Sequence, residues 1–343
     1  MLDNLKYFKG SLFVTVAGLI AAYFVGGTTA LFIVAVLAVL EISLSFDNAV
    51  VNATVLKDMN EVWRKRFLTW GILIAVFGMR IVFPVMIVSI FAEVSPWAAI
   101  DIAINTPDTY ATLMKEANVS VMAFGGSFLM MVGLSFFFDD EKEHWFAPIE
   151  KPVAAIGKIK FSAEILCLAI IATISLLVFS GAEQQTFAIS AISGLITFMA
   201  IHALTSFMEK REEDRRKHNL DTAKSGAAMF IYLELLDASF SFDGVVGAFA
   251  ISTNLFIIAI GLGIGAMFVR SLTIMLVEKD TLSEYVYLEH GAFYAIVALA
   301  SMMFLKSFMH VPEALTGLIG AGFIAVAFGH SLIVKKREER ATA

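Results

Sequence analysis

Two acidic runs in this chain share one pattern. The first reads Glu41-Ile-Ser-Leu-Ser-Phe-Asp47-Asn48-Ala-Val-Val and the second Asp237-Ala-Ser-Phe-Ser-Phe-Asp243-Gly-Val-Val-Gly. They align without a gap at an offset of 196: an acid, serines two and four residues later, Phe five later and Asp six later. Both sit inside long apolar stretches, where an ionisable side chain is expensive and marks either a pairing partner or a functional position. Carboxylate, carboxamide and hydroxyl oxygens suit hard cations such as Mn²⁺, Ca²⁺ or Mg²⁺, and no cysteine lies nearby to select a softer one. The plain alternative for the acids is a buried salt bridge to Arg80 or Arg270. Five acids (Glu41, Asp47, Glu234, Asp237, Asp243) face those two arginines, and the surplus of three argues for a bound cation or protons. Glu234, one turn before Asp237, reads as a hydrogen-bonded neighbour of that residue. The serines Ser43, Ser45, Ser239 and Ser241 fit a polar path and interhelical hydrogen bonding equally well.

Such residues need helices in lipid to hold them. Of 343 residues, 59% are hydrophobic and 16% charged, with a mean hydropathy of +0.80. A soluble domain needs far more charge to cover its surface. A hydrocarbon core of about 30 Å needs about 20 residues of helix. Ten stretches qualify: Ser11 to Val25, Thr29 to Leu56, Phe67 to Phe91, Val119 to Phe138, Ser162 to Ser180, Thr186 to Met208, Gly226 to Ile251, Asn254 to Val277, Glu289 to Phe308 and Glu313 to Val334. The first could pass for a secretory signal, but no convincing cleavage site lies around Tyr23 to Thr29, so it reads as a retained span. With the N-terminus inside, 21 of the 25 basic residues fall on the cytoplasmic side and only Lys115 and Lys306 outside. That bias predicts ten spans with both termini cytoplasmic.

The weak continuation of the repeat, Gly71 to Arg80 against Gly261 to Arg270, points to duplication. Four further spans lie between the motif helices, so the copies run antiparallel. The expected fold class is therefore an all-α polytopic membrane protein in two inverted-topology halves, 11–180 and 186–334, with a charged cytoplasmic loop at 209–225. The inversion would place Glu41 and Asp237 near the bilayer centre, with Asp47 and Asp243 each about 9 Å away on opposite sides, a ladder suited to a cation. Glu41, Ser45, Asn48 and Asn52 form one helical stripe, whereas Asp47 lies about 120° from Glu41. Either the helix unwinds around Ser45 to Asn48, or each half supplies different ligands to a shared site.

Other features read more plainly. Gly261 and Gly265 have the spacing of a close helix crossing, and the 16 Met form no copper-binding array. His202, His290 and His330 fall toward cytoplasmic helix ends and read as interface residues. The lone Cys167 excludes an internal disulfide and Cys-based metal centres. No hydrolase, kinase or phosphate-loop signature is present, so no enzyme activity, ATP-driven step or nucleic-acid binding is expected, and energy would come from an ion or proton gradient.

The first motif resembles the signature of the TerC-like integral membrane proteins, named for tellurium resistance and placed with the lysine-exporter superfamily, and Asp237 to Asp243 resembles their second acidic pair. That family commonly has Ser or Asn after the second-half Asp where this chain has Gly244, and the added loops resemble a divergent branch of unknown function. The resemblance implies export of divalent metal ions, manganese in particular, across the bacterial inner membrane. Glu41, Asp47, Asn48, Asp237 and Asp243 would be its metal positions, with Ser45, Ser241, Glu234, Arg80 and Arg270 in support. No cofactor is required beyond bound Mn²⁺ or Ca²⁺ as substrate or ligand. Two alternatives stay open: export of another cationic solute such as a basic amino acid, or a metal-binding anchor or sensor that meets a cytoplasmic stress-response partner through the charged loop.

Overall fold

The computed structural model describes residues 5–71, 74–139, 144–217, 226–249, 251–279 and 285–342. Among them the chain is helical, with no strand. Large apolar side chains such as Phe13, Phe24, Phe32, Leu176, Leu177 and Leu318 stand exposed. That is the pattern of helices solvated by lipid. Six helices are long and apolar enough to cross a membrane, and a further pair bent by 105°, Ala147–Gly157 with Ser162–Val178, makes a seventh if it is one broken span. The protein is an all-helical, polytopic membrane protein.

The chain divides into two compact units, residues 1–118 with 205–280 and residues 119–204 with 281–343. The first begins with α1 (Leu5–Leu44), α2 (Phe46–Asp58) and α3 (Glu61–Arg66). Two π-helical segments, Phe67–Gly71 and Ile74–Val82, lead into α4 (Phe83–Phe91), and the short helices α5 (Pro96–Asn105) and α6 (Pro107–Glu116) follow. After α7 to α10 come α11 (Gly226–Phe249) and α12 (Leu255–Glu278).

Although α1 is continuous in hydrogen bonding, it breaks at Gly26 (φ −151°, ψ 23°) and Gly27 (φ 65°, ψ −154°). The second of these conformations is essentially restricted to glycine. The neighbours of the two arms show that the chain folds back there. On the first arm, the Ser11 and Ser271 hydroxyls share a 2.8 Å hydrogen bond, Gly18 abuts Ile264, and Gly26 lies near Ile257. On the second, Leu37 packs on Gly261 and Glu41 on Gly265. One arm therefore runs against α12 and the other along it, and both bury apolar side chains (Ala22, Ala30, Val34, Ala38) against Ile257 and Ile264. Gly26-Gly27 falls between the first two expected stretches, Ser11 to Val25 and Thr29 to Leu56, and the second of these continues beyond its arm into α2.

The second unit holds α7 (Asn118–Phe137), α8 (Ala147–Gly157), α9 (Ser162–Val178), most of α10 (Gly181–Lys217), α13 (Leu288–Lys306) and α14 (Glu313–Thr342), the last two numbered in chain order here. Its helices approach closely at Gly133 against Val297 and Gly291 against Ala327. A buried Glu150 accepts from the Trp145 and Phe146 N–H groups at 2.8 and 3.0 Å and from the Tyr294 hydroxyl at 2.9 Å. That carboxylate fastens the start of α8 to α13. The charged segment after Met208 is helical as far as Lys217. The rest of the expected loop, 218–225, lies outside the described residues.

Candidate functional site

The apolar stretch around the first motif breaks at Ser45. Its backbone (φ −105°, ψ 20°) separates α1 from α2. The Ser45 N–H still reaches the Glu41 carbonyl at 3.0 Å, but the Ala49 N–H meets the Ser45 carbonyl only at 3.4 Å. Ser, Asp and Asn compete with the helical ladder through their own side chains, and this segment places all three within four residues. Asp47 falls in the first turn of α2, where the helix dipole favours a negative charge. Its carboxylate accepts from the Asn48 N–H at 3.0 Å. The interruption is confined to Ser45, and Asp47 and Asn48 are already helical in α2.

Beside the break, α11 runs antiparallel to the first motif. Asn52 donates to the Asp237 carboxylate at 2.8 Å, while a Cβ placed on Gly244 would lie 2.9 Å from the Glu41 carboxylate. Residue numbers thus rise on one side as they fall on the other. Gly244 is explained by this register, since the Glu41 head group occupies the space that a side chain there would need. Gly265 presses on the other side of Glu41, so that its own Cβ would collide with the Glu41 stem. The small-residue pair on α12 is a packing device, as its spacing implied.

Held between two glycines, Glu41 is 3% exposed and pairs with Arg80 Nη2 at 2.5 Å. Arg80 lies on the π-helical segment Ile74–Val82. The other intramembrane arginine behaves differently. Arg270 directs Nε at the Leu68 carbonyl at 3.0 Å and brings Nη2 to the same oxygen. Leu68 belongs to the π-helical Phe67–Gly71, a geometry that sequence periodicity does not reveal.

Between these groups lies a cavity of about 50 Å³, lined by Ser45, Asn48, Asn52, Arg80, Asp237, Arg270 and Thr273, with Phe67, Leu68, Ala266 and Val269 as apolar wall. A water needs roughly 10–15 Å³ by the same measure. The space therefore suits a small ion with a few waters.

The expected residues divide accordingly. Ser45, Asn48, Asp237 and both arginines meet at the cavity. Glu41 adjoins it through Arg80, and Asp47 is buried on α2 with its carboxylate at the Asn48 N–H. Ser241 is buried away from the lining, without a hydrogen-bond partner among the described residues. The side chain of Asp243 lies outside the described residues. Among the described residues, no three His, Cys, Asp or Glu side chains form a metal-holding group. Glu234 is not the hydrogen-bonded neighbour of Asp237 that the sequence suggested. Neither of its oxygens has a hydrogen-bond partner among the described residues, and it packs on Gly71 instead. Asn52 and Thr273 join the polar wall although they were not among the expected ligands. Only Asn52 was foreshadowed, by its place on the stripe with Ser45 and Asn48.

Residues 46–338 match a family described as a protein of unknown function, DUF475. The chain belongs to that family. No curated protein and no solved structure matches the chain. The DUF475 match opens at Phe46, the first residue of α2, so it takes in Asp47 and all of α11 but not Glu41, and it runs into α14. The Ser45 break thus lies at its edge and the cavity lining almost wholly within it.

Proposed function

We propose that this DUF475 protein is a secondary transporter that exports divalent metal ions, Mn²⁺ foremost, through the cavity beside the Ser45 break. The observation that carries the reading is a helix interrupted at an acidic motif and facing an antiparallel helix with a second acidic motif. Irregular backbone at membrane depth is tolerated where it is buried in protein or lines a cavity. Secondary transporters build their ion sites from such broken helices between inverted repeats. The oxygens offered by Ser45, Asn48, Asn52 and Asp237 suit a hard cation. Along the two motif helices the acids Glu41, Asp47, Asp237 and Asp243 outnumber Arg80 and Arg270.

The reading includes ten membrane spans with both termini cytoplasmic, halves 11–180 and 186–334 related by inversion, and a bacterial inner-membrane location. The size of the cavity favours an ion over a basic amino acid, which would require the walls to part. Purified protein in lipid vesicles tests this directly. Mn²⁺ flux is expected, and Asp47→Asn, Asp237→Asn or Asp243→Asn should each lower it at least tenfold. Unchanged flux in all three variants would remove the cavity from the path. Lysine competing as well as Mn²⁺ would move the substrate to organic cations, and Mn²⁺ binding without flux would favour a sensor.

A further inference from the structure

We propose that Glu234 is a proton-binding site beside the cavity, and that its proton exchanges against the cation held at Asp237. The exchange step rests on the export reading given above, whereas the proton site rests on geometry alone. Glu234 is 9% exposed, and neither carboxylate oxygen has a hydrogen-bond or ion-pair partner among the described residues. Other acids of the bundle have partners: the buried Glu41 has Arg80, the half-buried Asp237 has Asn52, and the buried Glu150 has two backbone N–H groups and a tyrosine hydroxyl. Glu234 packs on Gly71, where an added Cβ would stand 2.9 Å from Oε1. A glycine that admits a carboxyl group offers no charge to it.

Of the charged groups on the elements around α11, Glu61 and Lys65 on α3 pair with each other, Arg66 lies over the Trp63 ring, and Lys57 on α2 is exposed. Glu41 on α1 and Arg80 hold each other. Asp47 on α2 accepts from Asn48. Arg64 on α3 donates to the Leu56, Lys57 and Met59 carbonyls, and Arg270 on α12 donates to Leu68. Asp108, Lys115 and Glu116 on α6 belong to a helix that meets α11 near Phe249, through Tyr110, about 22 Å along the helix from Glu234. A buried carboxylate without a counter-charge is neutralised rather than tolerated. A lone carboxylate with no second ligand is a poor metal site, so the neutralising cation is a proton.

Glu234 and Asp237 lie three residues apart on α11, hence on one face. While Asp237 carries its negative charge, that charge favours a proton on Glu234. A divalent cation at Asp237 removes this support, so the Glu234 O–H bond breaks and cavity water takes the proton. Cation entry and proton release are thereby coupled, which is the logic of an antiporter.

Difference infrared spectroscopy on the full-length protein in lipid reads the proton directly, as the C=O stretch of a buried, protonated carboxyl. Wild type should show the band, Mn²⁺ should diminish it, Glu234→Gln should abolish it, and Gly71→Ala should shift it. No band in wild type, or a band that survives in Glu234→Gln, overturns the proton site. A band indifferent to Mn²⁺ overturns the exchange. In vesicles, Glu234→Gln should keep Mn²⁺/Mn²⁺ exchange and lose at least tenfold of the accumulation driven by a pH gradient. Retention of that accumulation overturns the coupling. Wild-type vesicles that pass no Mn²⁺ while the band still responds to it would end the export reading and leave the linked proton site standing.

Discussion

Glu41 shows how tightly a single charge is specified in this protein. Gly244 and Gly265 leave room for its head and stem, and Arg80 supplies its counter-charge. Overfilling packed interiors typically costs 1–3 kcal/mol, so Gly244→Ala and Gly265→Ala should each destabilise by about that amount in a denaturation series in detergent. Gly322, which is exposed with nothing near its Cβ position, supplies the contrast. Gly322→Ala should be neutral or stabilising, by up to about 1 kcal/mol from helix propensity. The ion pair gives a second prediction. Removing one partner of a buried pair leaves an uncompensated charge, at roughly 3–5 kcal/mol, whereas removing both can be nearly neutral. Arg80→Gln alone should therefore be strongly destabilising, and adding Glu41→Gln should restore most of the loss. A double variant no more stable than Arg80→Gln would mean that Glu41 draws its compensation from elsewhere.

At the scale of elements, two interruptions shape the first unit, and they differ in kind. The break at Ser45 arises from side chains that compete with the helix. The reversal at Gly26-Gly27 arises from a backbone conformation with φ of 65°. Because nothing lies within 4 Å of the Gly27 Cβ position, Gly27→Ala tests that conformation without a clash. It should cost about 1–3 kcal/mol and weaken docking of the first arm on α12, read by hydrogen exchange at residues 8–22. A cost near zero would show that the arms are set by packing alone. Both interruptions were legible in the sequence: Gly-Gly closes the first apolar stretch, and an unbroken helix would hold Asp47 about 120° from Glu41. The π-helical segments were not. Phe67–Gly71 and Ile74–Val82 have the apolar texture of any membrane helix, and one extra residue per turn leaves no trace in composition. Nor was the isolation of Glu234 legible, because the lack of a partner depends on Gly71, which is distant in sequence and close only once the chain has folded.

On the scale of the whole molecule, the repeat predicts a symmetry that the side chains do not share. Glu41 and Asp237 occupy equivalent places, as do Arg80 and Arg270, yet Arg80 holds Glu41 whereas Arg270 holds the Leu68 carbonyl. On the proposed transport reading this inequality is what alternating access requires, since exchanging the two arrangements would turn the protein to face the opposite side. The exchange has meaning only if the two motif helices cross the membrane in opposite senses, which makes topology the decisive whole-molecule observation. Cys167 is fully buried, so single cysteines introduced at exposed sites can be probed almost without background. Lys9→Cys and Lys336→Cys should react with an impermeant maleimide only from the cytoplasmic side, and Lys115→Cys only from the other, as the basic-residue bias requires. Labelling of Lys9→Cys and Lys336→Cys from opposite sides would mean an odd number of spans. If an odd number also separated the motif helices, the antiparallel register of Asn52 with Asp237 could not come from an inverted duplication.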